Sequence, residues 1–452
     1  EFKINAVTSS TQANVRVAAK GDGGFVVTWD DSSGVDGSGQ GVIGQLYDAG
    51  GVAVNANFVV NATTSSTQNS SAAAGYSSGF AVVWSSNQAG GNGSDIYLRR
   101  FDNAGNQVAA ETRISTVPGA PGTAQVGTQT DPDVAAYANG NLVVVWTDQS
   151  GNDGNVYGVY GRTVSAGGTL SDVFLINTYT TSYQYEARVA TLSDGGFVVV
   201  WRSDNQDGSS AGVYGQRYNA AGTKVGDEFQ VNESTNGGQY QPDVTGLSTG
   251  GFVVTWYNDN YDVGGTGTTA DVYIREYAAN GTAIDGQRKL VSATNSTEYQ
   301  PAIADLGGGN FVVAYADWNT VSGAPGVSTY EIAQQLFGNA AQLARPSAAP
   351  ILDDLRTLRT LTNVAGPNFA GDAQLIDSDV HVSDVDSANF NTGQFVAQLL
   401  NGATATEALG IRNQGIAAGQ IGVSGANITY GGVVIGSFSG GKLNASGGAG
   451  TI

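Results

Sequence analysis

The residues best able to do chemistry in this chain are carboxylates, and they recur in loops. "DDSSGVDGSG" (30–39), "DQSGNDG" (148–154), "SDNQDGSS" (203–210) and "NDNYDVGG" (258–265) pair Asp31 with Asp36, Asp148 with Asp153, Asp204 with Asp207, and Asp259 with Asp262. Such oxygen donors, joined by backbone carbonyls, suit a hard cation, and calcium takes about six to eight of them. Two or three carboxylates per loop fall short of that shell, and the spacing is not that of an EF-hand. Asp, Asn, Gly and Ser also cap hairpin turns without any ion. A denser set stands in "DSDVHVSDVDSANF" (377–390), where Asp377, Asp379, Asp384 and Asp386 repel one another unless solvated or bridged by a cation.

Other chemistries are poorly supplied. His381 is the only histidine, which excludes a multi-histidine zinc site, and with no Cys there is no thiolate ligand or thiol nucleophile. "GYSSG" (75–79) has the spacing of a nucleophile elbow, but an elbow needs a strand-to-helix turn and a triad histidine. Here it takes the hairpin position that "LSDGG" (192–196) fills in another repeat. Hydrolysis by a pair of carboxylates stays open, because a glycosidase needs only two acids at a defined separation. Which acids converge is not readable from the order of residues. The most visible departures from the repeated pattern are Tyr257, Tyr261 and Trp318.

These residues hang on a repeat. "DGGFVVTW" (22–29) returns as "SGFAVVW" (78–84), "NGNLVVVW" (139–146), "DGGFVVVW" (194–201), "GGFVVTW" (250–256) and "GGNFVVAY" (308–315). The anchors Trp29, Trp84, Trp146, Trp201, Trp256 and Tyr315 are spaced by 55, 62, 55, 55 and 59 residues, the size of a propeller blade. Before each anchor runs a short segment such as "QYEARVATL" (184–192) or "QYQPDVTGL" (239–247), usually opened by Gln. After it come the acidic loop, a segment such as "VYGQRYNAAG" (213–222) and a fourth such as "EFQVN" (228–232). Apolar residues alternate or cluster over four to eight positions between Gly, Asn and Asp turns, which predicts strands.

Four short antiparallel strands written six times predict a six-bladed β-propeller, in which radial closure leaves few exposed edges. The chain opens with "EFKIN" (1–5), a copy of the fourth strand, and the sixth repeat stops after its third. Glu1–Asn5 is therefore expected to close the ring. "DGGFVVTW" reads as each blade's second strand, with its Trp packed between blades. The propeller is expected over 1–342, a linker over 343–352 containing "ARPSAAP" (344–350), and a smaller β-sandwich over 353–452, which ends without an evident stop. The expected fold class is thus all-β.

Totals narrow the partners. With 39 acidic and 19 basic residues the net charge is −20, which repels nucleic acid and anionic membrane surfaces. No apolar run approaches the roughly 20 residues of a membrane span. Beginning at Glu1 and carrying no Met, the chain reads as a piece of something longer.

"DGGFVVVWRSDNQDGSSAGVYGQRYNAAGTKVGDEFQVN" (194–232) resembles repeats of large secreted RTX-type, calcium-binding proteobacterial proteins. "DSDVHVSDVDSANF", "LGIRNQG" (409–415) and "ITYGGVVIGSFSGG" (428–441) resemble their cadherin-like modules. "GGNGSDIYL" (90–98) matches the calcium nonapeptide once, where an array would be needed. The resemblance implies type I secretion, calcium-assisted folding and an extracellular or cell-surface location. The resulting expectation is a non-enzymatic module for adhesion, surface-polymer binding or assembly, stabilised by calcium. Its partner would be a polysaccharide, a cell-surface component or a second copy of the chain. Two alternatives stand beside it: a carbohydrate-active propeller enzyme using paired carboxylates, and a structural spacer or filament subunit.

Overall fold

Alternating apolar residues bounded by tight turns cannot bury their two faces alone, so each copy of the repeat forms a small sheet that needs neighbours on both sides. The computed structural model describes residues 3–88, 93–116, 127–259, 270–290, 296–320 and 328–338, with a few short strands beyond. It divides into two compact units, Glu1–Phe337 and Gly338–Ile452.

The first unit is all-β. Blade 1 is β1 (Gln12–Ala19), β2 (Phe25–Asp31), β3 (Gly41–Tyr47) and β4 (Ala53–Val59). Blade 2 is β5 (Gln68–Tyr76), β6 (Gly79–Ser86), β7 (Asp95–Asp102) and β8 (Thr112–Arg113). Blade 3 is β9 (Gln129–Ala136), β10 (Leu142–Asp148), β11 (Gly158–Val164) and β12 (Phe174–Leu175). Blade 4 is β13 (Gln184–Thr191), β14 (Phe197–Asp204), β15 (Ala211–Tyr218) and β16 (Lys224–Gln230). Blade 5 is β17 (Gln239–Gly246), β18 (Phe252–Asn258), β19 (Asp271–Tyr277) and β20 (Arg288–Lys289), and blade 6 is β21 (Ser296–Gly307), β22 (Asn310–Thr320) and β23 (Ser328–Phe337). Strand order follows chain order in every blade, and the first strands pack in succession from β1 to β21. The result is a six-bladed β-propeller.

The anchor tryptophans hold consecutive blades together. Trp84 shares a core with Val26, Val42 and Leu46 of blade 1, Trp146 with Ala72, Ile96 and Leu98 of blade 2, and Trp201 with Val143, Val145 and Val159 of blade 3. Trp256 does the same with Val198, Val200 and Val213 of blade 4. The five tryptophans Trp29, Trp84, Trp146, Trp201 and Trp256 are at most 3% exposed, so none offers a face to a ligand. The doubled glycine before them is steric. A Cβ at Gly24 or Gly196 would lie 2.2 Å from the carbonyl oxygen of Tyr47 or Tyr218, while Gly23 and Gly195 turn the hairpin at φ of 84°.

Polar latches repeat as regularly. Buried Gln68, Gln184 and Gln239 each accept a hydrogen bond from an Asn seven residues earlier, Asn61, Asn177 and Asn232, at 3.1, 3.4 and 2.9 Å. Each Asn also accepts from the backbone N–H of Val42, Val159 or Val213, tying the end of the fourth strand to the third. A cation then reaches back one blade: Arg99 donates to the carbonyl of Val60, Arg162 to Ile114, Lys224 to Ile176 and Arg275 to Val231, at 2.6 to 2.8 Å. Buried carbonyls at strand ends are thereby satisfied.

The N-terminal segment enters this scheme by its side chains. Asn5 donates to Gln12 at 3.2 Å, Ala6 donates its N–H to Asn57 as Ala62 does to Glu111, and Ile4 packs beside Trp29 and Ile43. These are the contacts that a fourth strand makes with the following blade. Among the described residues, however, the sixth sheet has three strands, and Glu1 and Phe2 lie outside them.

In the second unit β24 (Ile351–Asp353) pairs with β25 (His381–Ser383), and β26 (Gly410–Ile411) with β30 (Gly450–Thr451). β27 (Ile421–Ser424), β28 (Asn427–Tyr430) and β29 (Val433–Ser437) form an antiparallel meander. Most of the expected cadherin-like sandwich lies outside the described residues.

Candidate active site on the propeller axis

The first strand of every blade carries the same irregularity. Asn14, Ser70, Asp131, Glu186, Gln241 and Gln300 occupy the left-handed region, with φ between 48° and 57°, and each falls where the pairing with the second strand slips. A bulge at a non-glycine left-handed residue costs conformational energy and re-aims the side chains around it. All six residues are polar, and each stands at the kink of its first strand.

Two residues beyond the bulge, opposite the residue before each anchor aromatic, the six blades carry Arg16, Ala72, Asp133, Arg188, Asp243 and Ala302 in turn. Blades 3, 4 and 5 therefore line up an acid, a base and an acid. Asp133 Oδ2 accepts from Val189 N–H of blade 4 at 2.9 Å, and Asp243 Oδ2 accepts from Ile303 N–H of blade 6 at the same distance. Asp243 Oδ1 accepts from Val244 N–H at 2.9 Å. Loss of water raises the Asp243 carboxyl to about 6, a rise that its backbone bonds and Arg188 oppose and that Asp133 adds to. Arg16, from the far side of the ring, lies within electrostatic reach of Arg188, Asp133 and Asp243.

Nearer the start of the first strands, blades 4 and 5 add a second group. The Arg202 guanidinium lies over the rings of Tyr185 and Tyr240, 4.6 and 4.3 Å from their centroids. It is paired with Asp204 at 2.9 Å and Glu186 at 3.9 Å, and Glu186 accepts from Gln241 N–H at 3.1 Å. Tyr257 stands 5.3 Å from Tyr240, and burial holds its phenol up at about 12. On blade 1, fully buried Asp30 accepts from Asn14 Nδ2 and Ser70 N–H at 2.7 Å, and burial raises its carboxyl.

The acids singled out for calcium mostly cap their own turns. Asp31 accepts from Ser33 N–H at 2.8 Å, Asp36 from Ser38 at 3.1 Å, Asp148 from Ser150 at 2.7 Å, Asp153 from Asn155 at 3.0 Å and Asp207 from Ser209 at 2.9 Å. This i to i+2 pattern is that of Asx turns. Asp36 and Asp207 also accept from the latch residues Asn61 and Asn232, while Asp204 serves Arg202 and Asp259 serves Gly238 N–H. Among the described residues no three acidic or histidine side chains gather as a metal shell. Asp262, Asp377, Asp379, Asp384 and Asp386 lie outside the described residues. "GYSSG" forms the β5–β6 hairpin, as its place in the repeat requires.

Of the departures noted in the sequence, Tyr257 joins the aromatic group. Trp318 is 38% exposed on β22, and Tyr261 lies outside the described residues. Asp133, Arg188 and Asp243 were not singled out by sequence reasoning. The signal was present: in the segments that precede the anchors one column is charged in four blades and Ala in two, while its neighbours stay apolar or small.

No family model matches the chain, and no curated protein does. Solved propellers align with it. A protein of unknown function from Dyadobacter fermentans is 13% identical, covering 72% of this chain and 94% of its own, with a TM-score of 0.49. The GH93 alpha-L-arabinofuranosidase of Fusarium graminearum, solved with arabinobiose, is 15% identical over 72% and 92%, with a TM-score of 0.46. A Penicillium chrysogenum alpha-L-arabinanase, also with arabinobiose, is 15% identical over 71% and 93%, with a TM-score of 0.44. Those named for an activity are glycosidases, so the expectation of a non-enzymatic adhesion or assembly module has no counterpart among them, and none of them carries the RTX or cadherin-like resemblance. The likeness is one of fold, so an activity has to be argued from this chain's own axis.

Proposed function

We propose that the propeller is a carbohydrate-active enzyme that hydrolyses a glycosidic bond at its axis, with Asp243 as the proton donor. One observation carries this reading: a single register position holds Asp133, Arg188 and Asp243 on three consecutive blades while blades 2 and 6 hold Ala there. Blade 1 carries Arg16 there, and blades 2 and 6 pack with Ala at this position, so a blade does not require a charge at it.

Asp243 is suited to acid catalysis because a carboxyl held near 6 keeps its proton under mildly acidic conditions and can deliver it to the glycosidic oxygen as the bond to the anomeric carbon breaks. Asp133 supplies the second carboxylate that the developing positive charge requires. Arg188 lies between them and limits their mutual repulsion. The Fusarium and Penicillium proteins were solved with arabinobiose, which makes arabinan the first polysaccharide to try.

The test is release of reducing ends from arabinan and other neutral polysaccharides by the full chain and by Asp243→Asn. Release by the native chain that the variant loses supports the reading; release unchanged in the variant removes Asp243 from the chemistry, and no release from any polysaccharide removes the enzyme. Calcium and an extracellular location remain proposals resting on the acidic segments and the resemblance. A melting temperature that chelator leaves unchanged at equal ionic strength would count against calcium.

A further inference from the structure

Blade 6 carries a wall face that stays exposed. By register Ile332 and Leu336 stand where Val42 and Leu46 stand in blade 1, and Leu306 stands where Leu192 and Leu247 stand in blades 4 and 5. Those counterparts are at most 7% exposed, whereas Ile332, Leu336 and Leu306 are 81, 52 and 50% exposed. The first strand of blade 1 is open in the same way: Val17 is 64% exposed, and its counterparts Val134, Val189 and Val244 are 5 to 7% exposed.

Blade 1 meanwhile holds the end of a strand in the place where blades 2, 4 and 5 hold the fourth strand of the blade before them. Asn5 Nδ2 donates to the Val7 carbonyl at 2.6 Å, as Asn61, Asn177 and Asn232 each donate to a carbonyl two residues on. The Ile4 carbonyl accepts from Asn57 Nδ2 at 3.3 Å, a place taken by a cation in blades 2 to 5. What this end lacks is a third strand beside it. In blades 1, 3 and 4 the Asn Oδ1 accepts from the N–H of Val42, Val159 or Val213, and the residue before the Asn donates to that same residue's carbonyl. Among the described residues Asn5 Oδ1 has no such donor.

We infer that the open face and edge of blade 6 are the docking surface for blade 1, with Lys3–Asn5 as the fourth strand of the sixth sheet. Ile4 N–H then bonds to the Ile332 carbonyl, Ile332 N–H to Asn5 Oδ1, and Lys3 stands opposite Ala333 as Val59 stands opposite Ile43. An apolar face beside an unpaired strand edge marks an interface. Blade 1 is its occupant, and not a second copy, because it already carries the matching strand end, and closure within one chain needs no second molecule. The sequence led to the expectation of one closing strand; the structure adds its register and a whole wall. That wall bears on the axis, since Ile303, whose N–H holds Asp243, lies in the sheet that it clamps from the free side. The inference does not depend on the hydrolase reading.

The full chain contains no Cys, so a pair can be introduced without competing thiols. Lys3 and Ala333 would face each other without ladder bonds between them, the pairing with the closer Cα approach. Lys3→Cys with Ala333→Cys is therefore expected to form a disulfide within one chain on mild oxidation and to raise the melting temperature by about 3 to 8 °C. Lys3→Cys with Gln335→Cys, two residues out of register, is expected to stay reduced. Equal linking of both pairs, linking of neither, or disulfide-linked dimers from the first pair, the mark of a second copy in the seam, overturns the inference. Hydrogen exchange of the unsubstituted chain checks it without any variant. The Ile4 amide should be protected to within about tenfold of the Val60 and Ile176 amides, and exchange at the rate of an unfolded peptide overturns the wall.

Discussion

The walls between blades and the mouth of the axis are built from the same repeated strands, yet they obey opposite rules. In the walls the copies repeat their neighbours: Trp against the preceding blade and a cation on the previous blade's last carbonyl in blades 2 to 5, and Gln against Asn seven residues before it in blades 2, 4 and 5. At the mouth the backbone repeats, including its six left-handed bulges, but the side chains do not. The position that is Ala72 in blade 2 is Asp243 in blade 5, and the position that is Ala13 in blade 1 is Tyr240 in blade 5. Uniformity marks what closes the ring, and departure from it marks what meets a ligand.

That contrast can be broken by substitutions that cross it. The largest effect belongs to Asp243→Asn, expected to lower kcat by about a hundred- to ten-thousandfold while shifting the melting temperature little, because the amide oxygen still accepts from Ile303 N–H. A variant that unfolds, or one that keeps its rate, would put Asp243 with the walls. Trp146→Ala, from the uniform set, should cost about 3 to 5 kcal/mol in urea unfolding and leave the rate per folded molecule near that of the native chain.

The third expectation concerns pH. Below its unfolded value the Asp243 carboxyl is protonated in both states, and between that value and about 6 only the folded state keeps the proton, so stability falls as pH rises through this window, by at most about 3 kcal/mol. Unfolding of the native chain compared with Asp243→Asn between pH 4 and 7 isolates the effect; parallel curves would contradict it. Activity should fall on the alkaline side of the same value. The smallest change is Arg162→Met, which removes the hydrogen bonds from Arg162 to the Ile114 carbonyl and the Thr116 hydroxyl for a loss of about 1 to 2 kcal/mol, seen in unfolding and not in kcat/KM.

Much of the architecture was legible in the order of residues. Period-2 patterning, glycine hairpins and anchor spacing gave strands, blades and the place of "DGGFVVTW", because those features act over distances of a few residues. The Asn5 to Gln12 bond also bears on the reading of "EFKIN", since Asn and Gln stand seven apart in blades 2, 4 and 5 as they do at the N-terminus. The axial position was not legible in the same way. Runs of Asp are conspicuous in loops, where Asp31, Asp148 and Asp153 cap turns, whereas Asp133 and Asp243 stand singly in strands.

What the sequence determined by itself was a chain of equivalent sheets, since each repeat carries its own strands, turns and latch residues. Only the tertiary structure decided which of 39 acids stand together. Asp133 and Asp243 are 110 residues apart and share an axis because blades 3 and 5 flank blade 4, and the low-dielectric setting that lifts one of them to about 6 exists only once the ring has excluded water.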